Sequence, residues 1–268
     1  MARTIHTYSE IPSTNRIAFE LAEAGALHGE VVLARSQTAG RGRLGKIWSS
    51  PENKGLYFSL IIRPNLAIED YPKLTMTTGL AIASVLEDLC ETAILLKWPN
   101  DIILSDRKCG GILCEAKLDG ETPESHFAII GIGLNVLTRQ NEFPDHLRSL
   151  ATSLFIETEK SFELDSLLKI IADQVLIDIK RLEKHGFSSI LEEWKSRDFL
   201  KGKWLKWLTH RDEVVFAEAE GPDEEGRLLV RDEAGRLHTV LSGDVSLAGN
   251  WRKKGANHEK HDSSLDSV

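Results

Sequence analysis

The sequence predicts an α+β fold: a mixed β-sheet with helices packed on it, followed by a small β-barrel. Three observations carry this. Two long helical stretches, from about Tyr71 to Glu91 and from about Leu164 to Lys184, stand apart in the chain. Short apolar runs of strand length lie before and between them. After Arg197 the texture changes to brief period-two segments divided by acidic turn clusters.

In order, Ile17 to Ala24 reads as a helix with Ile17, Ala18, Leu21 and Ala22 on one face. Gly25 is placed to stop it, and Ser13 or Thr14 to cap its start. The Val31 segment and Gly55 to Ile62 are strands on either side of a glycine-rich loop. In the Tyr71–Glu91 helix, Gly79 reads as a close-packing site rather than a break. Ile94-Leu95-Leu96, Gly110 to Ala116 and Phe127 to Gly133 are further strands. In the last long helix Leu164, Leu167, Leu168, Ile171, Val175, Ile179 and Leu182 form an apolar stripe, with Gly186 after it. The barrel strands are Lys203 to Leu208, Val214 to Ala217, Leu228 to Val230 and His238 to Leu241. The expected division is a larger unit over 1–198, the barrel over 199–251, and a tail over 252–268 too poor in apolar residues to fold.

Composition narrows the function. The 268 residues are 41% hydrophobic and 28% charged, an ordinary globular balance. The net charge of −8, from 33 basic and 41 acidic residues, argues against broad nucleic-acid binding. No stretch approaches the roughly 20 apolar residues of a membrane span. The N-terminus has no apolar segment of a secretory signal. Three cysteines, Cys90, Cys109 and Cys114, fit a reducing cytoplasm. Cys109 and Cys114 lack a zinc-finger partner pair, and His258 and His261 lie in the polar tail, so no structural metal is expected.

The most informative segment is Gly40-Arg41-Gly42-Arg43-Leu44-Gly45-Lys46. Its glycines let the backbone come close to a ligand, and its three cations suit a phosphate or carboxylate. It matches parts of both the dinucleotide fingerprint and the P-loop. Both need a helix directly afterwards. Ile47-Trp48-Ser49-Ser50-Pro51 is turn chemistry instead, and Ile47 stands where a P-loop has Ser or Thr. Four other blocks stand out. Lys97-Trp98-Pro99-Asn100-Asp101 follows a buried strand, where Pro99 prevents a normal ladder. Lys108-Cys109-Gly110-Gly111 allows close backbone approach, or is only a hairpin turn. Gly131-Ile132-Gly133-Leu134-Asn135 leaves room for a flat ligand with an amide beside it, or is a bulge. Ser13-Thr14-Asn15 is a helix cap or a polar contact. With Gln37 and Thr38 it sets neutral groups beside cations, suiting a ligand with an uncharged polar head and an anionic end.

Taken in this order, these blocks, with Trp48 and Ile112-Leu113-Cys114-Glu115, resemble the biotin–protein ligases. The resemblance is dense from about residue 8 to 140 and extends in architecture to about 250. It implies a class II synthetase-like catalytic domain and an SH3-like C-terminal domain. The implied activity uses ATP and Mg2+ to form biotinyl-5′-AMP, then transfers biotin to a lysine of a biotin carboxyl carrier domain such as that of acetyl-CoA carboxylase. Because the motifs start at residue 13, a monofunctional enzyme without a DNA-binding domain is expected, working in the cytoplasm with no DNA or membrane partner. Members of the family are often dimers, so a homodimer is one expected assembly, although no apolar stripe marks an interface.

The resemblance also implies roles. Lys97 and Arg43 would be the catalytic cations at the biotin carboxylate and α-phosphate. Ser13, Thr14, Asn15, Gln37, Gly40, Arg41, Gly110, Gly111 and Leu113 would join them around biotin. Lys46, Trp48, Asn100, Gly133 and Asn135 would complete the ATP side. The family loop usually ends in Arg; Lys46 keeps the charge but not the planar fork. Asp101 is the guess for a general base. The metal ligands are not identified. A lipoate or octanoate ligase, which shares a catalytic lysine, is the nearest alternative, and a non-turning-over biotin or nucleotide binder is another.

Overall fold

The computed structural model describes residues 3–118, 126–209 and 213–240. The larger unit runs β1 (Ile5–Ile11), α1 (Thr14–Glu23), β2 (Val31–Gln37), β3 (Gly55–Ile62), α2 (Lys73–Cys90), β4 (Leu95–Lys97), β5 (Asp101–Leu104), β6 (Arg107–Lys117), β7 (Phe127–Asn135), α3 (Leu154–Thr158), α4 (Leu164–His185) and α5 (Ser188–Lys195). Its seven strands form one sheet in the order β1-β2-β3-β7-β6-β5-β4. β1 and β2 are parallel, in register from Ile5–Val31 to Ile11–Gln37, and the other pairs are antiparallel. The sheet is therefore mixed, as predicted.

Strand alternation divides the side chains between two faces. Val31, Leu33, Phe58, Leu60, Ile130 and Ile132 pack with the buried faces of α2 and α4. Val32, Ala34, Ile61 and Ile129 pack with Ala18 and Ala22 of α1. α1 covers only part of its face. Under and beyond its first turn the same face carries Ser59, Gly131, Gly133, Gly111, Leu113 and Glu115, aligned by the register of β3, β7 and β6. Gly131, Gly133, Gly111 and Leu113 of this stretch form the floor of the site.

Several elements differ from expectation. β1 was not anticipated: its polar residues give no apolar run, and as an edge strand it needs none. β5 was also missed, so Trp98, Pro99 and Asn100 form the turn of a β4–β5 hairpin, with a cis Trp98–Pro99 peptide. The strand expected from Gly110 starts three residues earlier, at Arg107. α1 starts at Thr14, three residues early; Ser13 holds the N-cap position with extended backbone but makes no side-chain cap bond. The short helices α3 and α5 were not predicted. Gly79 is a packing site: a Cβ there would touch Leu96 and Ile112 at 3.5 and 3.6 Å.

The C-terminal sheet contains β8 (Trp204–Leu208), β9 (Val214–Pro222), β10 (Leu228–Asp232) and β11 (Leu237–Thr239), all antiparallel, in the order β11-β10-β9-β8. An antiparallel bridge from Thr209 to Val240 draws its two edges together, as in a barrel. The expected tail, 252–268, and the end of the expected barrel lie outside the described residues. This sheet does not pack alone. Trp207, Ala217, Leu228 and Val230 belong to the same apolar cluster as Trp98 and Trp194. The Trp98 indole donates to the Gly226 carbonyl at 2.9 Å.

The covalent link between the units is also hydrogen-bonded. Leu96 donates to Arg197 and accepts from Phe199, which adds the chain at Asp198 to the edge of β4. One carboxylate oxygen of Asp198 accepts from Leu200, while the other is buried without a partner. Burial pushes this carboxyl up from 3.8 to about 6. Between these values the folded chain holds a proton that the unfolded chain has released, so this group's contribution to stability falls as pH rises. Relative to wild type, Asp198→Asn is expected to gain about 1–3 kcal/mol between about pH 4 and pH 7. Urea unfolding across that range tests this; a constant difference would assign no penalty to the ionised Asp198.

Candidate active site

The uncovered floor, the glycine loop and the β4–β5 hairpin enclose a cavity of about 650 Å³, within the usual size for a small-molecule site. The loop folds back on itself. Arg41 bridges Ile47, the Gly42 amide donates to Lys46 at 2.7 Å, and the Trp48 amide donates to Gly40 at 2.9 Å. Leu44 and Gly45 make the turn with left-handed φ of 54° and 74°. β3 follows, not a helix, which removes both nucleotide-loop patterns that the glycines partly match.

Nearly all the sequence-predicted residues converge here. Ser13, Thr14, Asn15, Gln37, Arg41, Arg43, Lys46, Trp48, Lys97, Asn100, Gly111, Leu113, Gly133 and Asn135 line the cavity. Gly40 and Gly110 are not among its lining residues. A Cβ at Gly40 would strike the Trp48 carbonyl and Ser50, so this glycine lets the two arms of the loop meet. A Cβ at Gly110 would strike Leu134 on the helix-covered face. Both glycines serve packing within the chain.

The space above the β7 glycines is occupied by the chain itself. Asn15 lies on Gly131, where a Cβ would overlap its amide oxygen. The Trp48 indole lies on Gly133, where a Cβ would come within 2.6 Å of Nε1. The Trp48 Nε1 is buried without a hydrogen-bond partner. The room for a flat ligand at these glycines is thus filled by an amide and an indole. Asn135, predicted to offer its amide to a ligand, donates through Nδ2 to the Thr152 carbonyl at 3.0 Å.

Two polarities meet in the cavity. Among neutral groups, the Thr14 amide donates to Gln37 Oε1 at 2.8 Å, and the Ser59 hydroxyl lies 2.7 Å from Asn15 Oδ1 and 2.8 Å from Thr14 Oγ1. Arg41, Arg43, Lys46, Lys97 and Lys108, also in the cavity lining, supply positive charge. Arg43 donates to Asn100 Oδ1 at 3.1 Å, tying the loop to the hairpin, and Asn100 in turn donates to the Ile112 carbonyl. Asp101, paired across the hairpin with Lys97, forms an ion pair with Lys108 at 2.6 Å. A carboxylate so engaged is a poor general base, so the geometry gives no support to Asp101 in that role. Lys108 Nζ lies 5.5 Å from the Trp48 ring centre.

Sequence reasoning missed Ser59, fully buried in the middle of β3. Its signal was faint: one hydroxyl in an otherwise apolar run. It also left Glu115 without a role. Phe199 lines the cavity from the link to the C-terminal sheet, and the Lys203 ammonium stands 3.1 Å from its ring centre. Burial, with the like charge of Lys97 adding to it, holds Lys203 down to about 8 against the pull of Asp106 and Asp198.

Comparison with known proteins agrees with this geometry. Residues 8–135 match the biotin/lipoate A/B protein ligase family, and residues 207–248 match the biotin protein ligase C-terminal domain. The chain is 34% identical over 250 residues to the bifunctional ligase/repressor BirA of Bacillus subtilis, covering 92% of this chain and 75% of that protein. It is 30% identical over 242 residues to the biotin–[acetyl-CoA-carboxylase] ligase of Paracoccus denitrificans, covering 88% and 98%. Among solved structures, the Aquifex aeolicus biotin protein ligase in complex with biotin and ATP superposes with a TM-score of 0.77 at 29% identity, covering 90% of this chain and 97% of that one. With a mixed sheet, a glycine–arginine loop over its open face and a small antiparallel sheet behind, the chain belongs to the biotin protein ligase family.

Proposed function

We propose that the chain joins biotin to ATP as biotinyl-5′-AMP and then transfers biotin to a lysine of a biotin carboxyl carrier domain. The observation that carries this reading is the meeting, in a single cavity, of neutral hydrogen-bonding groups and a set of cations. Biotin has the matching form: an uncharged ureido ring, an apolar tail and a carboxylate.

In the first step a biotin carboxylate oxygen attacks the α-phosphorus of ATP, and pyrophosphate leaves. In the second the carrier amine, having lost a proton, attacks the carbonyl of the mixed anhydride; an amide forms and AMP departs. Ser13, Thr14, Asn15 and Gln37 are assigned to the ureido ring, and Leu113 and Gly111 to the tail. Arg41, Arg43 and Lys97 are assigned to the carboxylate and α-phosphate, where their fixed charge offsets the approach of two anions. Lys46, Trp48, Asn100, Gly133 and Asn135 are assigned to the ATP side, with the Trp48 indole on Gly133 as one wall. No cluster of three His, Cys, Asp or Glu among the described residues could hold a metal ion, which fits a cation carried in on the triphosphate. Bound there, Mg2+ would neutralise phosphate charge.

Residues 1–198 are assigned the chemistry and residues 199–251 a closing or carrier-docking role, supported by Phe199 in the cavity wall. No helix among the described residues is long and apolar enough to cross a membrane. Three free cysteines support a cytoplasmic setting.

The test is transfer. The purified chain, ATP, Mg2+, biotin and an apo carrier domain are incubated, and the carrier is weighed by mass spectrometry. A gain of one biotinyl group, absent with lipoate or without ATP, is expected. Pyrophosphate release without a gain would reject this acceptor, and no pyrophosphate release would reject the ligase reading.

A further inference from the structure

Glu115 joins two parts of the site that are far apart in sequence. On the cavity face of β6, it accepts from Arg41 of the loop at 2.8 Å through Oε1 and from Asn15 Nδ2 at 2.8 Å through Oε2. Asn15 Nδ2 also donates to the Leu113 carbonyl at 3.1 Å. From Asn15 the polar contacts continue to Ser59, Thr14 and Gln37. Gln37 Nε2 donates to Ser50 Oγ at 2.8 Å, and the Ser50 hydroxyl donates to the Trp48 carbonyl at 3.3 Å. The path leaves the loop at Arg41, passes under the cavity floor and returns to the loop at Trp48.

We propose that Glu115 is a positioning residue that latches the glycine–arginine loop to the polar floor of the cavity, so that closure of the loop and alignment of Asn15 depend on one carboxylate. The proposal rests on the ligase reading above. Geometry favours a latch over a chance surface pair. Arg41 has an exposed side chain on a loop that carries Leu44 and Ile47 in solvent, so little apolar burial holds this part of the loop down. Glu115 is itself held by Asn15, which is 4% exposed and seated on Gly131. The anchor is buried and the tethered group is exposed, as a latch requires.

The opposite reading is that Glu115 competes with the ligand's anionic end for Arg41. The two predict opposite signs. The full-length chain is loaded with biotin and ATP, freed of excess ligand, and followed for release of biotinyl-5′-AMP. Glu115→Gln keeps an oxygen for Asn15 but loses the charge that holds Arg41. It is expected to speed release by roughly fivefold, the scale of one partly exposed ion pair. Arg41→Ala should do at least as much, and the double variant no more than Arg41→Ala alone, because the two act through one contact. Glu115→Ala should in addition raise the KM for biotin more than that for ATP, since Asn15 then loses one of its two acceptors. Slower or unchanged release in Glu115→Gln, or additive effects, would overturn the latch.

A second measurement needs no ligand. Trypsin cleavage at Arg41, Arg43 and Lys46 in the free chain should be faster in Glu115→Gln, because loop opening becomes more frequent. Unchanged cleavage would overturn the latch. If wild type forms no adenylate, the ligase reading fails, and the trypsin comparison still decides the latch.

Discussion

Lys97→Ala is expected to slow formation of the adenylate by roughly 10²–10³, about 3–4 kcal/mol, the scale of losing one preorganised charge stabiliser. Lys97 is the last residue of β4, in register with Asp101 across a tight hairpin, and it lines the cavity beside the Arg43–Asn100 contact. Its backbone is fixed by neighbours that do not depend on its side chain: Leu96 is bonded to Arg197 and Phe199, and Trp98 to Gly226. Truncation should therefore leave the fold intact and remove only charge. Pyrophosphate release at saturating biotin and ATP is the readout. The loss should fall on kcat more than on KM, because the charge is needed most where two anions meet. Lys97→Arg should recover little, since a planar fork does not replace a compact ammonium. A rate within threefold of wild type would remove Lys97 from the reacting centre.

The second large effect is expected from the smallest substitution. Gly131→Ala places a methyl group on the amide oxygen of Asn15. A flexible surface side chain would move aside cheaply. Asn15 cannot, because it is buried and bonded to Leu113, Glu115 and Ser59. Overpacking and broken buried hydrogen bonds together should cost about 2–4 kcal/mol of stability. The KM for biotin should rise roughly 30- to 100-fold, while that for ATP changes by about threefold or less. Gly133→Ala is the control. It displaces Trp48, on the loop rather than in the packed floor, and should cost less stability. Wild-type stability and biotin KM in Gly131→Ala would show that the seating of Asn15 does not matter.

These residues also show where sequence reading succeeded and where it stopped. Lys97 and the glycine–arginine loop were legible because such dense charge and glycine have little use inside a core. The long helices were legible because their apolar stripes repeat over several turns. β1 and β5 were not: one is a polar edge strand, and the other shares its first residue, Asp101, with the motif that hides it. Gly131 and Gly133 were recognised as making space, but what fills the space depends on tertiary contacts. Asn15 and Trp48 reach these glycines from over 80 residues away. Gly40 and Gly110, which admit neighbours within the chain, show the same limit: a glycine that admits a ligand and one that admits a neighbouring group look alike in sequence. Ser59 and Glu115 matter through partners 44 and 74 or more residues away, beyond the reach of any local pattern.

The parallel pairing of β1 and β2 has an evolutionary consequence. Ile11 and Gln37 stand side by side, so both strands release their chains at the same end of the sheet. One exit becomes Ser13-Thr14-Asn15 and the other becomes the glycine loop. In the ligase reading proposed above, ring recognition and anion recognition thus fall on two adjacent segments that Glu115 ties together. A lineage, or a protein engineer, that recodes one segment for a differently shaped acid must therefore keep it matched to the other.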